Sequence, residues 1–425
     1  MKRSVALVTA NTFEFESRHR RAAQALAADG WEVAIVAMAA PHLPTEERLA
    51  DGIVVRRPPV ERRILAAVPA PLRGAVGSLV RLDQDAERLP AGRGIRAMLR
   101  RGLEIVAYRR RVEPWARAAI EAAPEARVFV AKALVALPVV AGAARRTGGV
   151  YVYDIADLHV ESGRLAAMPG PVKTYLRRRE GRWLRGAAAL LAVTPAMADE
   201  IACRHGVARP TVVMNARERW RPDDPLPRPE RLREAAVIPP GRDIVLYQGA
   251  FRPDQGIEIL LAALVEPALA NRPLTAVFLG FGPLEGRLRD AAHAHPDRVV
   301  VLPPVPSPEL LEWTAGADVA FVGAPPVTRN QTLTTPNKLF EAVMAGVPVV
   351  VAAGTWTADL VRGHALGSVV DPWTAAAVGA EIGRLLDVPA AGRDARRQAI
   401  RATALGTLNW EAERVRLVEA FRALT

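Results

Sequence analysis

One cysteine, Cys203, is all that 425 residues contain, so no disulfide framework braces this chain and a reducing compartment suits it. Aromatic side chains make up 5 % of the residues, and neither zinc-finger spacing nor an interleaving of arginine with aromatics accompanies the basic positions. Recognition of nucleic acid ordinarily brings one or the other. No apolar run reaches the roughly 18 residues that a spanning helix requires. At the amino end, Lys2 and Arg3 precede only the short apolar stretch Ser4 to Ala10 before Glu14 and Glu16 intervene, which is not the pattern of a signal peptide. A soluble, cytoplasmic protein is expected. Lysine is the remaining scarcity: of 57 Lys and Arg residues, lysine stands only at positions 2, 132, 173 and 338. A chain that otherwise writes arginine carries an ammonium at Lys338.

What is present is bulk and positive charge. Half of the residues are apolar, and the length suits two domains, each with its own core. A net charge of +12 points to nucleic acid, an anionic membrane surface or anionic small substrates. With no accompanying motif, no nucleic-acid partner is expected. The stretch that organises the rest is Thr335 to Val351. Thr335 reads as an N-cap and Pro336 as the first helical residue, where a missing N–H costs nothing. Leu339, Phe340, Val343 and Met344 recur at helical spacing, Gly346 stops the helix, and Val347 to Val351 suits a buried parallel strand. The start of such a helix collects anions, because its free N–H groups and dipole point outward. Lys338 adds a point charge there. Glu341 follows by less than one turn, at about 3.6 residues per turn, placing a carboxylate within reach of a diol beyond the phosphates. The pattern describes a receptor for a nucleoside diphosphate; the plainer alternative is an ordinary strand–helix unit with solvated Lys and Glu.

The letters Pro336-Asn337-Lys338-Leu339-Phe340-Glu341 resemble the corresponding segment of retaining family-4 glycosyltransferases of the GT-B fold. The resemblance runs from about Ser4 to Leu424 and is strongest in the second half. It implies an α/β protein of two Rossmann-like, doubly wound parallel-sheet domains facing a cleft. Residues 1–217 would bind the acceptor, 218–242 form a Pro- and charge-rich linker, 243–395 bind the nucleotide sugar, and 396–425 return as helices to the first domain.

In the first half, the apolar strand Ser4 to Ala10, the helix Arg18 to Ala28 and the strands Trp31 to Ala37 and Gly52 to Val55 set up a parallel sheet. The loop after the first strand opens at the carboxyl edge, where such folds bind ligands. Glu14, Glu16, Arg18 and His19 are therefore expected at the acceptor site, or else are solvated loop charges. Strands at Arg127 to Ala131 and Val150 to Asp154 follow, joined by a helix from Ala136 to Arg146. Relatives then read Asp-x-His-Glu-Leu. Here Asp154 matches, Ala156 replaces the His and Asp157 replaces the Glu, with His159 and Glu161 just beyond. His159 either substitutes for the missing His or is a loop residue. Two stretches, 93–111 and 173–185, are basic and helical in composition. Either lies on anionic lipid as a peripheral contact, or packs on the sheet with arginine outward. Asp83-Gln84-Asp85 matches a metal-binding pattern in letters only, inside a helical stretch.

In the second half, the strand Asp243 to Gln248 runs into a Gly-bounded loop, Gly249 to Gly256, ahead of a helix from Ile257. This is a second phosphate cradle. The family has Gly-Arg and Lys-Gly at its ends; here Ala250 and Gln255 stand in those places, and Arg252 is the loop's cation. Further strands are read at Thr275 to Leu279, Arg298 to Leu302 and Val319 to Val322, with Gly354 to Gly363 and Gly367 to Pro372 finishing the sheet. The Gly280–Gly286 loop, including Gly282, would shape the nucleotide pocket, and Val305 would hold the base through its backbone. The pair His293 and His295 lacks a third ligand and reads as a helix end. Counting back from Glu341, the first carboxylate of the family's Glu-x7-Glu signature falls on Leu333. Asn330, or the amides of residues 333–335, would then take the sugar hydroxyls. The expected chemistry is metal-independent retaining transfer from a nucleotide sugar, UDP-sugar first, with no other cofactor. Lys338, Arg252 and His159 would carry the chemistry. Gly249, Gly282, Val305, Asn330, Thr335, Asn337 and Glu341 would complete the donor site, and Glu14, Glu16, Arg18, Asp157 and Glu161 the acceptor side. A sugar-nucleotide epimerase and a non-catalytic nucleotide-sugar-binding protein are the alternatives.

Overall fold

The computed structural model describes residues 3–14, 16–59, 113–166, 168, 170–221, 228–323 and 325–424. The stretch 93–111 and Asp83-Gln84-Asp85 lie outside them. The chain divides into two compact units, Met1–Val212 with Arg416–Thr425, and Val213–Val415. Among the described residues, no helix is long and apolar enough to cross a membrane.

The first unit is built on a sheet of strands β1 (Ser4–Val8), β2 (Glu32–Val36), β3 (Glu46–Arg48), β4 (Val54–Arg56), β5 (Val128–Ala131), β6 (Val150–Ile155), β7 (Ala189–Ala192) and β8 (Thr211–Val212), in the spatial order β3-β4-β2-β1-β5-β6-β7-β8. All neighbours are parallel except β3 on β4, which pair antiparallel from Glu46↔Arg56 to Arg48↔Val54. Val5, Ala6, Leu7 and Val8 are all buried, as they must be in a central parallel strand covered on both faces. The chain order reverses at β1, which lies between β2 and β5. Beyond the carboxyl ends at such a reversal the connecting loops part and leave a crevice. The loop after β1, Lys132 after β5 and Asp154 in β6 all sit at that edge.

The second unit repeats the plan with β9 (Asp243–Ala250), β10 (Leu274–Phe281), β11 (Val299–Leu302), β12 (Val319–Gly323), β13 (Val349–Ala352) and β14 (Gly367–Val370). Their order is β11-β10-β9-β12-β13-β14, every pair parallel. Here the reversal falls at β9, so Gln248, Gly249 and Ala250 stand at the mouth of the crevice. The helix Asn337–Met344 packs its Leu339, Phe340, Val343 and Met344 into the core under β12 and β13. Burying each is worth about 2 kcal/mol. The helix Ala390–Gly406 holds its far end, where Arg401 Nη1 donates to the Met344 carbonyl at 2.9 Å. Arg397 likewise caps the helix Leu310–Ala315 through the Ala315 carbonyl, at 2.9 Å.

Three local expectations are corrected. Pro336, not Thr335, is the N-cap of the helix Asn337–Met344, with φ −75° and ψ 145°. A proline in that extended conformation ends the incoming strand-like segment and has no N–H to satisfy. Gly354 to Gly363 is no strand: Trp356–Gly363 is a helix, because Thr355 Oγ1 accepts from the Ala358 N–H at 3.0 Å and Ala358 and Val361 bury one face. The Pro-rich stretch after Arg217 contains a short helix, Arg231–Ala235, anchored by the buried Leu232.

Candidate active site

At the carboxyl edge of the second sheet lies a cavity of about 350 Å3 walled by the ends of β9 and β10, the segment after β11 and the start of the helix Asn337–Met344. Gly249 and Gly280 face each other in register across β9 and β10. A Cβ on Gly280 would lie 2.0 Å from the Gly249 carbonyl oxygen, so only glycine lets the two strands close this floor. The apolar part of the lining includes Phe281, Pro304, Val305 and Leu310. Phe281 leaves 61 % of its surface exposed there, unusual for a large apolar side chain. Its polar part is Gln248, Gln255, Asn337, Lys338 and Glu341.

Lys338 lines the cavity with only 8 % of its surface exposed. Its ammonium donates to Gln255 Oε1 at 3.2 Å and stands 4.1 Å from the centroid of the Tyr247 ring. The ring face attracts a cation, but neither neighbour carries a negative charge. Burial therefore dominates, and the Lys338 pKa falls to about 7, against the weaker pull of Asp254 and Glu341. A buried ammonium without a carboxylate contact, at the amino end of a helix, favours an anion beside it. Glu341 follows three residues on in the same helix and lines the same cavity. Gln248 Nε2 donates to Glu341 Oε2 at 2.7 Å, and Thr314 Oγ1 donates to Gln248 Oε1 at 2.8 Å.

Of the residues singled out in the sequence, Gly249, Val305, Asn337, Lys338 and Glu341 line this cavity together. Asn337 also receives the side-chain amide of Asn215. The others sit elsewhere. Arg252 is exposed and turned to Asp254, with Nε 3.1 Å from Oδ1, outside the cavity wall. Gly282 is behind the wall; its missing Cβ makes room for the Phe251 backbone, 2.8 Å from where that atom would be. Asn330 is buried in the short helix Arg329–Leu333. Thr335 is buried with its hydroxyl unpaired among the described residues. Gln248, Gln255, Tyr247 and Phe281 are additions. The one signal for Gln248 in the sequence is a polar residue at the end of the mostly apolar run Ile244 to Tyr247, next to glycine.

In the first unit the carboxyl edge gathers paired charges. Asn11 Nδ2 donates to Glu16 Oε2 at 2.9 Å, and Lys132 pairs with the other oxygen. Burial would raise the Glu16 pKa, but Lys132 overrides it and the net shift is downward. Arg18 grips Asp154 with two bonds of 2.7 and 2.6 Å, both groups buried, and likewise keeps that carboxyl ionised. His159 Nε2 lies 3.4 Å from the Lys132 carbonyl, so Glu16, Lys132 and His159 share one corner. Burial lowers the His159 pKa, opposed by Asp157. Glu14 is apart, held by Thr12 at 2.7 Å and His42 at 2.9 Å. Glu161 is enclosed by Lys173, Arg177 and Arg204, which tie it to the helices Gly170–Gly186 and Pro195–His205. His19 is fully buried and its pKa falls to about 4 through desolvation.

Residues 242–388 match the model of a family described as Glycosyl transferases group 1. No curated protein matches the chain. Among solved structures, sucrose-phosphate synthase from Thermosynechococcus elongatus is similar with a TM-score of 0.70 at 18 % identity, covering 100 % of this chain and 99 % of that one. HepE from Anabaena, solved in complex with UDP-glucose, has a TM-score of 0.67 at 15 % identity, with 99 % of each chain covered. WaaG, a glycosyltransferase involved in lipopolysaccharide biosynthesis, has a TM-score of 0.61 at 15 % identity, again with 99 % of each chain covered. These likenesses identify the fold as GT-B.

Proposed function

We propose that this chain is a metal-independent, retaining glycosyltransferase that takes its sugar from a nucleoside-diphosphate donor, UDP-sugar first. The observation that carries the reading is the cavity of the second unit, lined by Lys338 and Glu341 of the helix Asn337–Met344 together with apolar side chains. The diphosphate goes to Lys338 and the amides of the helix start, the ribose diol to Glu341, and the base to Val305 and Phe281. The matched family model spans this cavity, and a neighbour of the same fold was solved with UDP-glucose. The difficult charge in transfer is that of the departing diphosphate. Lys338 and each well-aimed amide stabilise it by about 3 kcal/mol in the transition state. Arg252, one turn of loop away, joins when the diphosphate competes with Asp254 for its guanidinium. No protein nucleophile is assigned: the acceptor hydroxyl attacks the face that the leaving group vacates. The first unit carries the acceptor at Glu16, Lys132 and His159, and its helix Gly170–Gly186 rests on an anionic membrane surface from the cytoplasmic side.

The test is a thermal-shift screen of UDP, GDP, dTDP and ADP sugars, followed by turnover with and without sugar and lipid acceptors. A ligand that binds only the native state raises its melting temperature by mass action. At least one diphosphate sugar should do so in wild type and fail to do so in Glu341→Ala. Consumption of the donor without any acceptor would instead mark an epimerase. No shift with any of the four would overturn the reading.

A further inference from the structure

Glu341 does not set its own position. A free glutamate on a helix samples several rotamers and loses side-chain entropy when a ligand fixes one. Here the carboxylate is already held. Gln248 Nε2 donates to Glu341 Oε2 at 2.7 Å, and Gln248 is buried at the end of β9. An amide could present either face to a carboxylate, and its oxygen would repel one. Thr314, on the helix Leu310–Ala315 and fully buried, braces the other side of this amide: its hydroxyl lies 2.8 Å from Gln248 Oε1. The same hydroxyl lies 2.7 Å from the Leu310 carbonyl, and one hydrogen cannot fully serve both acceptors. Gln248 must then keep its NH2 toward Glu341, because the opposite orientation would set its oxygen against a carboxylate. Glu341 Oε1 takes no hydrogen bond among the described residues, and Glu341 lines the cavity.

Resting on the proposed donor site, we infer that Gln248, braced by Thr314, is a positioning residue that holds Glu341 with one oxygen free to accept from the vicinal hydroxyls of a ribose. The relay joins three elements, β9, the helix Leu310–Ala315 and the helix Asn337–Met344, so the carboxylate is fixed before ligand arrives. Specificity follows from the same geometry. A site built around an ionised acceptor loses more when the hydroxyl is missing than a solvated one does.

The experiment compares calorimetric affinities for UDP and 2′,3′-dideoxy-UDP in wild type, Gln248→Leu and Thr314→Val. Wild type should prefer UDP by about tenfold or more, the size expected for a hydrogen bond to a charged group. Gln248→Leu should bring the ratio close to one while dideoxy-UDP still binds, because Lys338 and the helix start are unaltered. Thr314→Val touches no ligand atom and conserves shape, so a partial loss of the preference in that variant is a readout that general destabilisation does not give. It also carries the test should Gln248→Leu fail to fold. If both folded variants discriminate as wild type does, the relay has no role and the inference falls alone. If wild type binds neither nucleotide, the donor-site reading falls with it.

Discussion

Lys338 is a residue whose proton is governed by burial rather than by a partner. Its pKa, near 10.5 when unfolded, is about 7 in the folded chain. Between those values the unfolded chain holds a proton that the native state lacks, so stability rises with pH through this window. Below pH 7 both states are charged and the burial penalty is fully present. Lys338→Met should therefore stabilise the protein at pH 6 by a few kcal/mol, with about 1.4 kcal/mol as the ceiling for each tenfold loss of proton affinity on folding. The gain should shrink toward pH 10, as followed by denaturant unfolding at both pH values. The same variant should lose nucleotide binding. In wild type, diphosphate affinity should be level below pH 7 and fall above it, by up to about tenfold for each pH unit, since only the ammonium attracts the anion. A stabilised Lys338→Met that still binds UDP as wild type does would remove Lys338 from the site. Asp254, Glu341 and Tyr247 face the same ammonium, and all three remain in the variant.

At the scale of elements, the sequence revealed more about which segments fold than about where they begin. The apolar runs of β1, β9 and β13 and the helical spacing of Leu339, Phe340, Val343 and Met344 were readable because burial on a periodic face leaves a pattern. β3 was not: Glu46, Glu47 and Arg48 carry no apolar signal, and the strand exists by pairing with β4. Trp356–Gly363 was missed for a related reason. Eight residues are too few for periodicity to distinguish helix from strand, and the decisive information was one hydroxyl, Thr355. The site shows the same division. The motif residues Lys338 and Glu341 came from the letters, whereas Gln248 lies in a strand buried on both faces, where alternation says nothing about direction. Arg252 had the right charge, but Asp254 two residues on offered it a nearer partner than the cavity does. The cap gives a prediction at this scale. Thr355→Ala should cost about 1 kcal/mol of stability and Thr355→Ser should restore most of it, measured by chemical denaturation. A neutral Thr355→Ala would mean that packing of Ala358 and Val361 alone starts the helix.

Across the whole molecule, a net charge of +12 attracts any anionic surface, so affinity for lipid must be separated from mere charge. The helix Gly170–Gly186 offers the separation. Tyr175, Arg178, Arg182 and Arg185 are exposed and recur every three or four residues, so they share one side of the helix. Half-buried Arg179 stacks on Tyr175 and Trp183 behind them, at 5.8 and 5.1 Å from the ring centroids. A basic stripe with an exposed aromatic suits the headgroup region of an anionic bilayer, where each Arg adds about 1 kcal/mol. Reversing Arg178, Arg182 and Arg185 to Glu removes six charges and leaves +6; so does reversing Arg287, Arg289 and Arg362, exposed positions in the second unit. Sedimentation with phosphatidylglycerol vesicles in low salt should show at least tenfold weaker binding for the first variant and little change for the second. Equal losses in both would make the attraction a property of total charge and take the helix out of the proposed membrane contact. With equal net charge in the two variants, only the placement of the arginines distinguishes them.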